Sequence, residues 1–328
     1  MGKRSRRKRL LWRKLRKEEA APSEAVTAEQ PRHEGKKHGF FYETYSKHYK
    51  VLMLFTLFLL FASLGFIGIK YAMTGVWINK DISLAGGISI TVLSEKDLPL
   101  KEVQDFFSGR HTGKEFTVRK FSSGDQKGYI IETGELIEGE LRSTAEALFG
   151  KLTKEQLSVE IMGSSLGKSF LRETGIALLL AFLFMSIIVL ITFRNLVPSL
   201  FVILAAFSDI VCTFALTQLL GIKISTAGIA AFIMLIGYSI DTDILLTTRV
   251  LKREGGTVLD RTLNAMKTGI TMTLTALVAT VIGLILSKSS TLSQIFLIIT
   301  IGLVFDILNT WLQNAGILRW YLEKHGKT

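Results

Sequence analysis

Residues Thr226–Val250 read TAGIAAFIMLIGYSIDTDILLTTRV, a run long enough to cross a bilayer that nevertheless holds Asp241 and Asp243 and ends beside Arg249. A hydrocarbon core of ~30 Å takes ~20 helical residues. Five more stretches meet that length, at Val51–Ile69, Gly175–Phe193, Leu196–Leu220, Ile270–Leu286 and Ile295–Ile317. The chain is therefore read as a polytopic α-helical membrane protein with six transmembrane helices.

Composition agrees. The chain has 328 residues, 48% of them hydrophobic, with 4 prolines and 1 cysteine, which excludes a disordered, collagenous or disulfide-stapled protein. Cys212 has no second cysteine to pair with. The formal charge of +12 points toward nucleic acid, yet ten Lys or Arg lie within the first 17 residues, and DNA is not an expected partner. That segment interleaves Leu10, Leu11, Trp12 and Leu15. It can be read as an amphipathic helix on anionic lipid, as a ribosomal RNA contact, or as a solvated topology signal. Residues 18–38 are polar and aperiodic and are read as a linker.

Basic residues also set orientation, because Lys and Arg flanking spans are retained on the cytoplasmic side. The tail is thus placed inside, and six spans return the C-terminus there with Arg319, Lys324 and Lys327. Arg194 and the group Lys252, Arg253, Arg261 and Lys267 fall on the same side. Only Lys223 and Lys288 mark the short outer turns. Phe40, Phe41, Tyr42, Tyr45 and Tyr49 form an aromatic belt before the first span. That span is too long for a cleavable signal core and is expected to stay as an anchor in the plasma membrane. The start of the chain lacks the myristoylation pattern, since Arg6 stands where Ser or Thr is required.

The expected organisation is a basic tail and linker over 1–49, a first helix over 50–70, an extracytoplasmic domain over 71–172, five helices over 173–318 and a tail over 319–328. Within the domain, strand patterns at Gly87–Leu93, Phe116–Phe121, Gly128–Glu132 and Leu157–Met162 alternate with helical patterns at Leu100–Phe107 and Gly139–Phe149. The order β-α-β-β-α-β predicts a ferredoxin-like α+β domain between helices 1 and 2.

Enzymatic chemistry finds no support in the motifs. Gly163-Ser164-Ser165-Leu166-Gly167-Lys168-Ser169 has three residues between its glycines where a phosphate loop needs four, so it is read as the joint into the second span. The five histidines show no paired ligand spacing, and no metal or cofactor is expected.

The informative residues are charges within spans. Asp209, Asp241, Asp243 and Asp306 would each cost ~2.5 to 3.5 kcal/mol facing lipid. Ser239, Asp243 and Thr247 recur at i, i+4 and i+8. Asp306, Asn309 or Thr310, and Gln313 recur at i, i+3/4 and i+7, so polar stripes on two helices can be buried against each other. Carboxylates near Arg249 are the parts of a proton or cation relay, a carboxylate binding a proton when unpaired and releasing it when a guanidinium approaches. The plainer alternatives are a static Asp–Arg bridge and an Arg249 that snorkels to the surface. Thr271, Thr273 and Thr275 are read as packing hydroxyls.

On Leu84-Ala85-Gly86-Gly87, Gly163-Ser164-Ser165-Leu166-Gly167, Ser208-Asp209-Ile210 and Gly237-Tyr238-Ser239-Ile240-Asp241-Thr242-Asp243 leading to Arg249, the sequence resembles the SecF subunit of the SecD/SecF protein-export complex, in the resistance-nodulation-division superfamily. The resemblance implies a SecD-like partner, a SecY-type channel, a translocating polypeptide and coupling to the proton motive force through Asp209 and Arg249. Bacterial members read Asn-Asp-Thr where this chain has Asp241-Thr242-Asp243, a variant that resembles the archaeal branch. Two alternatives stand beside export assistance: a half-unit of a superfamily exporter of lipids or small molecules, and a scaffold for channel assembly.

Overall fold

The computed structural model describes residues 40–94, 96–114, 116–123, 126–134, 138–153, 156–252, 256–287 and 289–325, with the backbone alone at 40–44, 121–123, 126, 162, 164–166 and 290. The readings of residues 1–38 lie outside these. Six helices are long and apolar enough to cross a membrane. The first is α1, Phe40–Thr74, and after the short α2, Ile82–Ala85, comes the domain β1 (Gly87–Leu93), α3 (Leu100–Arg110), β2 (Thr117–Ser123), β3 (Gln126–Thr133), α4 (Glu138–Phe149) and β4 (Leu157–Met162). Then follow α5 (Ser164–Phe193), α6 (Leu196–Leu219), α7 (Thr226–Lys252) and α8 (Val258–Leu286). The last span is composite, with α9 (Ser290–Leu308), a π-helical turn (Asn309–Asn314) and α10 (Ala315–Lys324).

Several spans run beyond their apolar stretches, because helical hydrogen bonding continues after hydrophobicity ends. α8 begins at Val258, where Thr257 and Asp260 form a reciprocal capping box, satisfying two otherwise orphaned amides. Hydropathy alone places its start at Ile270.

The four strands form one antiparallel sheet in the order β2-β3-β1-β4. Alternation puts Ile88, Ile90, Val92, Tyr129 and Ile131 on one face, where Val103, Phe107, Leu141, Ala145 and Phe149 of α3 and α4 pack on them. Each fully buried large apolar side chain contributes ~1.5 to 3 kcal/mol. The Tyr129 hydroxyl is held at the rim, donating to the Leu98 carbonyl at 2.9 Å and accepting from its amide at 2.6 Å.

The other face carries Ser89, Thr91, Arg119, Glu132 and Glu160 and lines a cleft of about 700 Å³ shared with the ends of α6 to α9. Around it the domain is tied to the turn between α6 and α7. Ile224 donates to the Asn79 carbonyl at 2.7 Å and Asp81 donates to the Ile224 carbonyl at 3.0 Å. The Thr226 amide donates to Ser83 Oγ at 3.1 Å. Glu132, buried, accepts from both Arg119 and Lys223, and Arg119 also reaches Asp81 at 3.1 Å. One ionised group held between two cations keeps the domain and the α6–α7 turn together.

The two glycine motifs meet at the domain's base. Gly86 and Gly87 have φ of 83° and 128°, values that favour glycine. A Cβ on Gly167 would lie 2.9 Å from the Gly86 nitrogen and 3.1 Å from the Leu84 carbonyl oxygen. The segment once weighed as a phosphate loop is thus a backbone-to-backbone joint. Within a helix Gly→Ala ordinarily stabilises by ~1 kcal/mol. Gly167→Ala should instead destabilise by about 1–3 kcal/mol through overpacking, whereas Gly175→Ala, with nothing within 4 Å, should be neutral or stabilising. Unfolding of both variants in detergent checks the sign.

Candidate functional site

The polar stripes read from sequence face each other where α6, α7 and the last span meet. Asp209, Asp243 and Asp306 are each 0% exposed. Asp209 Oδ2 accepts from Ser239 Oγ at 2.6 Å, and its Oδ1 accepts from Asn309 Nδ2 at 2.7 Å. Asp306 accepts on Oδ1 from Thr242 at 3.0 Å and Thr310 at 3.2 Å, and on Oδ2 from Thr273 at 3.2 Å. Asp243 Oδ1 accepts from Asn314 Nδ2 at 2.8 Å. Gln313 Nε2 donates to Ser208 Oγ at 2.9 Å, which itself donates to the Leu204 carbonyl at 2.8 Å.

The π-helical turn supplies half of these donors. Its wider i→i+5 spacing, a feature found most often at functional sites, keeps Asn309, Thr310, Gln313 and Asn314 all buried on the inner side. Trp311 of the same turn seats its ring against Gly269 of α8, where no Cβ would fit. Ala205, Ala206 and Ala231, all buried, line the helix contacts and let backbones approach.

Charge balance in the cluster is unusual. Its donors are hydroxyls and amides, and among the described residues every ion pair formed by Lys or Arg lies elsewhere. Asp209 and Asp243 are each close enough to Asp306 to interact electrostatically. Toward the domain side, Leu84, Ile224, Ile229, Phe232, Ile298 and Leu303 form an apolar layer that separates the cluster from the cleft above.

Two of the expected residues lie apart from it. Asp241 is exposed on the outer face of α7, because two residues advance a helix by about 200°, away from the face of Ser239 and Asp243. Arg249 is half-buried and donates to the Asn264 carbonyl and to Thr268 Oγ1, both at 2.8 Å, so it binds α7 to α8 rather than meeting a carboxylate. Thr271 and Thr275, read as packing hydroxyls, are exposed and bond their own backbone, so neither packs between helices of this chain. Thr273 departs from that reading, since it donates to Asp306. Asn314 and Thr242 were also not singled out, although the polar run Asn309-Thr310-Trp311-Leu312-Gln313-Asn314 inside an apolar helix was the available signal.

Comparison with known proteins follows the same outline. The sequence model of the SecD/SecF protein-export membrane protein C-terminal family matches residues 143–324. Protein-export membrane protein SecF of Methanothermobacter thermautotrophicus is 41% identical over 257 residues, 75% of this chain and 85% of that protein. The SecF proteins of Methanocaldococcus jannaschii and Methanolacinia petrolearia are 37% and 35% identical, each over 85% of this chain and 98% and 95% of their own lengths. This chain belongs to the SecF family. The crystal structure of SecDF, a translocon-associated membrane protein from Thermus thermophilus, superposes with a TM-score of 0.69 over 84% of this chain at 23% identity. The SecF-type chain spans 38% of that longer chain.

The cluster's structural weight is testable at its least obvious member. Thr273→Val should cost about 0.5–2 kcal/mol by leaving Asp306 short of a buried donor, while Thr275→Val should stay within about ±0.5 kcal/mol. Equilibrium unfolding in detergent or by steric trapping measures both.

Proposed function

We propose that this SecF-type chain assists protein translocation as one subunit of an export machine, pairing with a SecD-like chain beside a SecY-type channel in the plasma membrane. The observation that carries the reading is the group of three buried carboxylates at the junction of α6, α7 and the last span, in a chain this similar to SecF proteins. Protons or other cations passing through Asp209, Asp306 and Asp243 would alternate their charge. Moving one charge through 100 mV yields ~2.3 kcal/mol, enough to bias a two-state equilibrium tens of fold.

The tie between the outer domain and the α6–α7 turn makes that bias mechanical. Asp209 lies on the helix before the turn and Asp243 on the helix after it, so a change in how α6 and α7 pack is passed directly to Lys223 and Glu132. The domain, whose strand order matches a ferredoxin-like sandwich, would then move against the translocating polypeptide. Both termini lie in the cytoplasm on this reading, and the basic tail meets anionic lipid there. Arg249 serves as a positioning residue holding α8 to α7.

Asp241 has a separate role. Near mid-span and exposed beside Ala230, Met234, Gly237 and Tyr238, it would cost ~2.5 to 3.5 kcal/mol against acyl chains. A helix of the SecD-like partner covers this face, with a Lys, Arg or hydroxyl donor opposite the carboxylate.

Two experiments test the assignment. Asp209→Asn and Asp306→Asn, at unchanged abundance, should each lower the export rate of a secreted reporter at least tenfold; export at the unaltered rate would overturn ion coupling. Asp241→Leu should reduce recovery of a SecD-like chain from solubilised native membranes while leaving the chain folded. Undiminished recovery would remove Asp241 from the interface.

A further inference from the structure

The three buried carboxylates differ in how fully their oxygens are occupied. Both oxygens of Asp209 and both of Asp306 accept hydrogen bonds. Asp243 accepts from Asn314 on Oδ1, and no hydrogen bond closes on its buried Oδ2, although the Thr310 hydroxyl lies near enough to interact with the carboxylate. Thr247 lies one turn along the same helix, fully buried, with its hydroxyl unpartnered. It differs in this from Thr262, Thr271 and Thr275, whose hydroxyls donate back to the preceding turn.

Asn314 completes the group. Its amide turns NH2 toward Asp243, as an acceptor-only carboxylate requires, and leaves Oδ1 buried and unpartnered. Gln313 and Asn309 repeat the arrangement, each giving its NH2 to Ser208 or Asp209 and leaving a bare carbonyl oxygen. Asp243 Oδ2, Thr247 Oγ1 and Asn314 Oδ1 are thus three buried oxygens without a hydrogen-bond partner, one from a carboxylate, one from a hydroxyl and one from an amide carbonyl.

We propose that Asp243, Thr247 and Asn314 form a binding site for one dehydrated alkali-metal cation. Hard cations take oxygen ligands. A single carboxylate among neutral oxygens balances one positive charge, and among the described residues no group of three or more acidic, His or Cys side chains favours an ion of higher charge. The π-helical turn ends at Asn314, beside this carboxylate, and such turns are found most often at functional sites. The proposal rests on the ion-coupled reading above and names which ion the inner half of the pathway holds.

The test uses the full-length chain purified into lipid nanodiscs. Thermal unfolding midpoints are followed against rising NaCl or KCl, with choline chloride keeping ionic strength constant, and the stoichiometry is measured with radioactive sodium or rubidium. A saturable rise with one ion bound per chain is expected for sodium or for potassium. Asp243→Asn should abolish it, and Thr247→Val, nearly isosteric, should weaken half-saturation tenfold or more even if Asp243→Asn fails to fold. Thr271→Val, on the exposed face of α8, should respond like the unaltered chain. A choline-like response to both alkali ions, or unchanged affinity in Thr247→Val, overturns the site. If that occurs while export still depends on Asp209, proton coupling stands without it; if the ion binds and export ignores Asp209, the site stands and the coupling reading falls.

Discussion

Three carboxylates in the interior of a bundle surrounded by hydrocarbon constrain everything else in this molecule. Hydrocarbon rejects them, and no lysine or arginine among the described residues neutralises them. Only a dense array of hydroxyl and amide donors on facing helices can hold them there. That requirement accounts for Ser239 and Thr242 on α7, Thr273 on α8, and Asn309, Thr310 and Asn314 on the last span. It also accounts for the small residues between the helices, since side chains as short as Ser and Thr bridge only backbones that lie close together.

Much of this was legible from spacing. Ser239 and Asp243 at i, i+4, and Asp306 with Thr310 and Gln313 at i, i+4 and i+7, fixed the inner faces because helical geometry leaves no other arrangement that spares lipid. The strand read at Gly87–Leu93 has the same limits as β1, and that at Leu157–Met162 the same as β4, because alternation bounded by glycine and turn residues is a strong local signal. The same geometry excludes Asp241 and Arg249 from the cluster. The first is about 200° from Ser239 and the second about 240° from Asp243 around α7, and grouping them by proximity in sequence overlooked that rotation.

Other features depended on contacts no local pattern carries. Thr273 sits among threonines of identical spacing, and only the placement of α8 against Asp306 distinguishes it. Asn314 reaches Asp243 through a π-helical turn, which an ideal 3.6-residue periodicity does not anticipate. Lys223 reads as a lone basic residue in an outer turn, yet it meets a glutamate 91 positions away in the chain. Gly167 belongs to a motif whose composition, though not its spacing, imitates a phosphate loop, and its meaning came only from the backbone of Gly86 lying against it.

The apolar layer formed by Ile224, Phe232, Ile298 and Leu303 gives the polar cluster a direction. Along α7 that layer lies between the cleft and the carboxylates, with Asp243 farther from it than Ser239. Ile224 belongs to that layer and is also the residue whose backbone is hydrogen-bonded to Asn79 and Asp81 at the domain's base. One segment of chain therefore joins the apolar layer to the domain. On the ion-coupled reading proposed above, a rearrangement of that layer and a displacement of the domain would occur together, which is the linkage such a reading requires.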